Sequence, residues 1–145
     1  FGITADGQHV HPATFNLAVR SKKRGGAVLV TDAMPSVGSN CKTFSLHDEE
    51  IEVIDDRCIT TNGVLAGSNL NMAIAVRNAA RFSPIGWQEA VRMASRYPAK
   101  AVGLSASLGD LSPGKQASFA VLDAGFAVIQ TWIAGQCVYD SQSGE

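Results

Sequence analysis

Apolar positions along the chain change rhythm twice, and each change marks a new kind of element. Residues 1–5 form a short apolar stretch that reads as a strand leading into an Asp6-Gly7 turn. Pro12 suits a first helical turn, with His11 extended before it. Phe15, Ala18 and Val19 then recur at i, i+3 and i+4, which predicts a helix to about Lys23. Gly25-Gly26 stops it. Residues 27–30 (Ala-Val-Leu-Val) are continuously apolar, as expected of a parallel strand buried on both faces. Strand, helix and strand make one βαβ unit.

A polar excursion follows. Residues 43–46 and 51–54 are predicted to form a hairpin, and Asn62-Gly63 is a strong tight-turn signal. After Gly67, Ser68 is read as the cap of a helix through Leu70, Ala73, Ile74, Arg77 and Ala80. Ser83-Pro84 separates it from a second helix over 87–96, and Pro98 opens a short third one that Gly103 ends. From Gly109 the period becomes strand-like: 118–122, 127–133 and 136–139 read as three strands, broken by Gly125 and Ala134-Gly135. The boundary falls within 104–115, which divides the chain into 1–107, 108–140 and a tail, 141–145, expected to fray.

Composition narrows the classes. The 145 residues are enough for one domain with a core, and 46% hydrophobic with 17% charged residues is ordinary for a globular protein. No apolar run approaches the roughly 18 residues of a membrane span. A net charge of −1 argues against a nucleic-acid partner, and the basic cluster Arg20, Lys22, Lys23, Arg24 reads as a solvated helix end. Cys41, Cys58 and Cys137 are odd in number and widely spaced, so neither a disulfide framework nor a metal knuckle is expected, and a reducing cytoplasm is. The chain opens at Phe1 directly in an apolar stretch, as a fragment does.

Asp32 is the sharpest candidate for chemistry. It stands just past the second apolar strand, and in parallel α/β architectures active sites gather at the carboxyl ends of strands, where a carboxylate suits general acid–base work. The same residue also suits the plain task of satisfying loop amides. His9 and His11 form an H-x-H pair after the first strand. Two imidazoles on alternate extended residues converge on a metal only if further ligands join them, and the local spacing offers none. His9 is read as a hydrogen-bonding substrate ligand and His11 as structural. The segment Leu65-Ala66-Gly67-Ser68 is read as a loop joining hairpin to helix, with Gly67 allowing close approach of a ligand to backbone.

Several motifs together resemble the C-terminal part of the N-acetylglucosamine-6-phosphate deacetylase family of the amidohydrolase superfamily. They are Thr4-Ala5-Asp6-Gly7-Gln8-His9-Val10, Val30-Thr31-Asp32-Ala33 and Gly63-Val64-Leu65-Ala66-Gly67-Ser68. Further matches are Ala90-Val91-Arg92-Met93-Ala94, Tyr97-Pro98-Ala99, Leu108-Gly109-Asp110-Leu111 and Pro113-Gly114-Lys115-Gln116-Ala117. The last two blocks are shared widely across the superfamily. The resemblance spans about 2–139.

It implies an α/β fold: the last two strands and helices of a (β/α)8 TIM-type barrel, followed by strands of a small β-sandwich. It implies that Asp32 takes a proton from the attacking water and returns it to the leaving amine. It further implies that His9 contacts substrate and stabilises the tetrahedral transition state, and that Leu65, Ala66 and Gly67 border the sugar. A divalent metal, zinc or iron, goes with the family, its ligands on strands upstream of this chain, so no metal ligand is assigned within it. The implied partner is a small amino-sugar phosphate, the implied assembly a homodimer, with no nucleic acid and no membrane. The 145 residues alone are expected to be inactive. Two rivals are another amidohydrolase acting on a cyclic amide or nucleobase, and a non-catalytic assembly module of the same fold.

Overall fold

A computed structural model describes residues 1–143. Strand β1 (Gly2–Thr4) and strand β2 (Val28–Val30) pair in parallel, in register from Gly2 opposite Val28 to Thr4 opposite Val30. Helix α1 (Pro12–Arg20) makes the crossover between them. The expected start of α1 is met: the His11 Nδ1 accepts from the Ala13 N–H at 3.2 Å, and Pro12 occupies the first turn, where no amide is required. It ends three residues before Lys23, where the Ser21 N–H closes on the Leu17 carbonyl.

The expectation that residues 27–30 are buried on both faces is corrected. Ala27 and Leu29 are buried, but Val30 is 43% exposed. The helices cover the face that carries Ile3 and Leu29, while on the other face Thr4 and Val28 are half-buried and Val30 is open.

The polar excursion is a four-stranded antiparallel sheet, not a lone hairpin: β3 (Thr43–Leu46), β4 (Glu49–Ile54), β5 (Arg57–Thr60) and β6 (Leu65–Ser68) lie in chain order. Its first two turns hold only two residues each, His47-Asp48 and Asp55-Asp56, and all four have positive φ. That left-handed pair matches the twist of the flanking strands, and Asp tolerates it better than most residues. The Asn62-Gly63 turn falls where expected, between β5 and β6.

Helix α2 (Met72–Phe82) starts later than predicted. Its cap is Asn71, whose Oδ1 accepts from the Ile74 N–H at 2.9 Å, and Ser68 belongs to β6. Helix α3 (Trp87–Ala94) and helix α4 (Arg96–Ala101) follow, the latter carrying Pro98 inside its first turn. Strands β7 (Phe119–Leu122), β8 (Val128–Ile133) and β9 (Gln136–Asp140) are the three strands expected, and they pair as an antiparallel meander. Of the tail, Ser141, Gln142 and Ser143 are tied to Ile129 and Asp140 by hydrogen bonds; positions 144 and 145 lie outside the described residues.

The core lies between the parallel pair and the helices. Ile3, Ala5 and Leu29 meet Phe15 of α1, Ala75, Val76 and Ala79 of α2, and Ala90 and Met93 of α3. Phe15 is fully buried and meets the Phe82 ring edge-on at 5.9 Å. This core fixes the direction of β1 and β2, and so fixes where their carboxyl ends deliver the chain.

Candidate active site

Both parallel strands end at the same edge, and the nominated residues follow directly. Beyond β1 the chain folds into a tight turn organised by Asp6. Its Oδ1 accepts the Gln8 N–H at 3.1 Å and the His9 N–H at 3.2 Å, while Oδ2 lies 2.6 Å from the His9 Nδ1. The Asp6 side chain is only 7% exposed. Burial pushes its carboxyl up, yet the His9 ring and the two amides outweigh that and hold it below the usual carboxylate range. The Ala5 carbonyl just before this turn accepts from the Asn78 side chain of α2 at 2.9 Å. The turn is therefore fastened at two points.

Beyond β2 the backbone bends at Asp32, whose φ is +55°. The Asp32 carbonyl accepts the Ser68 N–H at 2.8 Å, the Met34 N–H donates to the Ser68 carbonyl at 2.9 Å, and Ala33 bridges Ser68 in parallel. The Ser68 Oγ donates to the Thr31 carbonyl at 2.5 Å. The Leu65–Ser68 segment is thus a strand and not the loop expected from sequence. Its end is stitched onto the segment that carries Asp32.

Gly67 sits at the contact with φ +80°, and a Cβ there would run into Met34 Cε and lie 2.6 Å from Met34 Cγ and 3.1 Å from the Asp32 carbonyl oxygen. Asp32 itself is exposed, and among the described residues its carboxylate accepts no hydrogen bond. The plain reading of Asp32 as a cap for loop amides therefore fails; its backbone is held by others and its carboxylate is free.

The structure ties Asp32 by backbone hydrogen bonding to Ser68 and packs Gly67 against its carbonyl; among the described residues no hydrogen bond joins it to Leu65 or Ala66. His9 leaves the neighbouring strand at the same edge, and among the described residues no hydrogen bond joins it to them. The residues between His9 and His11 are not an extended strand, so the H-x-H pair does not converge. The Nδ1 of His9 meets Asp6 and that of His11 caps α1. Among the described residues no three His, Cys, Asp or Glu side chains gather as a metal site. The chain's own donors do not fit the divalent metal that the family resemblance implies.

Sequence reasoning missed Asp6 and Asn78. Asp6 had a signal in the Asp-Gly turn three residues before a histidine. Asn78 had none, because its partner lies 73 positions away.

A groove of about 1070 Å³ lies elsewhere, between α2–α4 and β7–β8, with Met72, Val76, Val102, Leu111 and Phe119 on its walls. None of the nominated residues lines it. Its one acidic side chain, Asp110, is engaged by Lys115 at 2.9 Å, so the groove offers apolar space without a free base.

The model of the Amidohydrolase family matches residues 2–138. The chain belongs to the amidohydrolase family. It is similar to an N-acetylgalactosamine-6-phosphate deacetylase of Escherichia coli O157:H7, with 42% identity over 92% of this chain and 35% of that protein. Identity is also 42% to a protein of Escherichia coli strain K12 that bears the same name provisionally, over 92% of this chain and 80% of that one. Among solved structures it resembles N-acetylglucosamine-6-phosphate deacetylase from Pasteurella multocida, with 32% identity and a TM-score of 0.89 over 94% of this chain and 36% of that one. The chain thus spans little more than a third of two of these three amidohydrolases. The family read from the Asp-Gly-x-His, Thr-Asp-Ala and Leu-Ala-Gly-Ser motifs is the family that matches.

Proposed function

We propose that the whole protein hydrolyses the acetamide of N-acetylglucosamine 6-phosphate, giving glucosamine 6-phosphate and acetate. The observation that carries the reading is the placement of an unengaged carboxylate, Asp32, at the carboxyl end of a parallel strand, with the end of β6 locked against its backbone. Asp32 accepts a proton from the water whose oxygen attacks the acetamide carbon. As the carbon–nitrogen bond breaks, it returns that proton to the leaving amine. His9 hydrogen-bonds the acetamide oxygen as negative charge develops there. The backbone of Leu65, Ala66 and Gly67 borders the sugar.

This reading assigns a divalent metal, zinc or iron, to ligands outside this chain. It assigns residues 1–107 to the last two strands and helices of a (β/α)8 barrel and 108–140 to strands of a small β-sandwich. It also carries a homodimer as the working assembly. A cytoplasmic setting accords with the three cysteines, all unpaired.

A second substrate is favoured by one observation: two relatives named for the galactosamine epimer are 42% identical to this chain. Assaying the whole protein on both epimers side by side separates the readings, and the higher kcat/KM names the substrate. Asp32→Asn in the whole protein is expected to lower kcat by about 10²- to 10⁴-fold on the better substrate, with an unchanged melting curve. Turnover near wild type in that variant would remove Asp32 from the reaction.

A further inference from the structure

Asp6 has no role in these proton transfers, although its carboxylate is the most heavily used hydrogen-bond acceptor at this edge of the sheet. It is nearly buried, it binds two amides of its own turn through Oδ1, and its second oxygen lies 2.6 Å from the His9 Nδ1. An ionised carboxylate is an acceptor only. Its partner nitrogen must therefore carry the proton, because a bare Nδ1 lone pair at that distance would face a negative oxygen. Which ring nitrogen is protonated follows from the hydrogen bond the other makes. The depressed titration of Asp6 agrees, since its charged form is favoured by the same His9 contact.

We propose that Asp6 is the positioning residue of His9, holding the ring by a proton kept on Nδ1 so that Nε2 alone serves the substrate. The consequence is specific. With Nδ1 always protonated, a neutral ring offers only a lone pair at Nε2, and a ring that donates from Nε2 is an imidazolium whose charge Asp6 balances. A hydrogen bond given to the developing oxyanion then comes from a cation, and charge-assisted bonds are about twice as strong as neutral ones. The inference rests on the reading that His9 contacts the substrate. The pairing itself rests only on geometry.

The test is Asp6→Asn in the whole protein. Asparagine keeps the Oδ1 acceptor of the shorter bonds from the Gln8 and His9 amides and gives up only the long 3.4 Å contact of Oδ2 with the His9 amide, so a purely structural role would largely survive it. The Oδ2 acceptor becomes an N–H donor, which demands a bare Nδ1. Nitrogen-15 spectra of histidine-labelled protein are expected to show neutral His9 as the Nδ1–H form in the wild type and as the Nε2–H form in the variant. The kcat is expected to fall about 10- to 100-fold, by analogy with the cost of removing a carboxylate behind a metal-bound histidine, with KM within about threefold.

A wild-type His9 found in the Nε2–H form overturns the proposal, and so does a kcat within twofold of wild type once the tautomer has switched. Should the variant fail to fold, the wild-type spectrum alone still decides the pairing. That spectrum needs no turnover, so it decides the Asp6–His9 pairing even if neither amino-sugar phosphate proves to be a substrate.

Discussion

Gly67 occupies a position where two separate demands meet. Its φ of +80° is costly for any residue with a Cβ, by about 1–2 kcal/mol. The added carbon would also collide with Met34, whose Cε can swing aside but whose Cγ, 2.6 Å away, clears it only if the whole side chain changes its first rotamer. Overpacking of that kind costs about 1–3 kcal/mol more. Gly67→Ala is therefore expected to lower the urea midpoint, and adding Met34→Ala is expected to relieve the collision but not the backbone strain. Full recovery in the double variant would show that φ contributes nothing. The effect should reach activity as well, because the remaining neighbour, 3.1 Å off, is the carbonyl of Asp32.

At the scale of elements, Glu89 joins three parts of the chain. Its carboxylate accepts from Arg24 Nε before β2 at 2.7 Å, from Arg92 within α3 at 3.1 Å and from the Tyr97 hydroxyl of α4 at 2.6 Å. Burial raises its pKa, but the bonds from Tyr97, Arg24 and Arg92 together outweigh this and leave it lowered. A depressed carboxyl contributes stability that is present above its ordinary value of 4.5 and is lost as pH falls through the lower folded value. Glu89→Gln is expected to lower the melting temperature at pH 7 and to flatten its fall between pH 5 and pH 3, a window of roughly that span by the same linkage. An unchanged slope across that window would count against the network.

Most elements were legible because their signals are local. The Pro12 start of α1 and the turn residues Asn62-Gly63 and Ala134-Gly135 each act within a few positions. The β6 strand was not legible. Its four residues are too short to show a period, and their partners are Arg57 and Ile59 on one side and the Asp32 segment on the other.

For the whole molecule, the exposed Val30 at the end of the two-stranded β1–β2 pair is the decisive feature. Two parallel strands cannot close a barrel, and unpaired edges seek other strands. Among the described residues there is also no cluster of metal-ligating side chains. On the proposed reading, which assigns the metal ligands to positions outside this chain, the 145 residues by themselves are expected to hydrolyse neither epimer of the amino-sugar phosphate when assayed beside the whole protein. Turnover at the rate of the whole protein would show that the strands present here suffice.

By itself, the amino-acid sequence determined the opening βαβ unit, the three following helices and the three closing strands, named Asp32 and His9 as candidates, and through the resemblance of its motifs pointed to the family. The elements follow from spacing, turn chemistry and residue type, all of which act between near neighbours; the family follows from the resemblance of the motifs alone. Tertiary structure alone decided that Leu65–Ser68 is a strand sealed against Asp32, that Val30 faces outward, and that Asn78 fastens the turn carrying His9. Each of these is a meeting of segments far apart in the chain, and such meetings are fixed by how the βαβ unit packs under its helices.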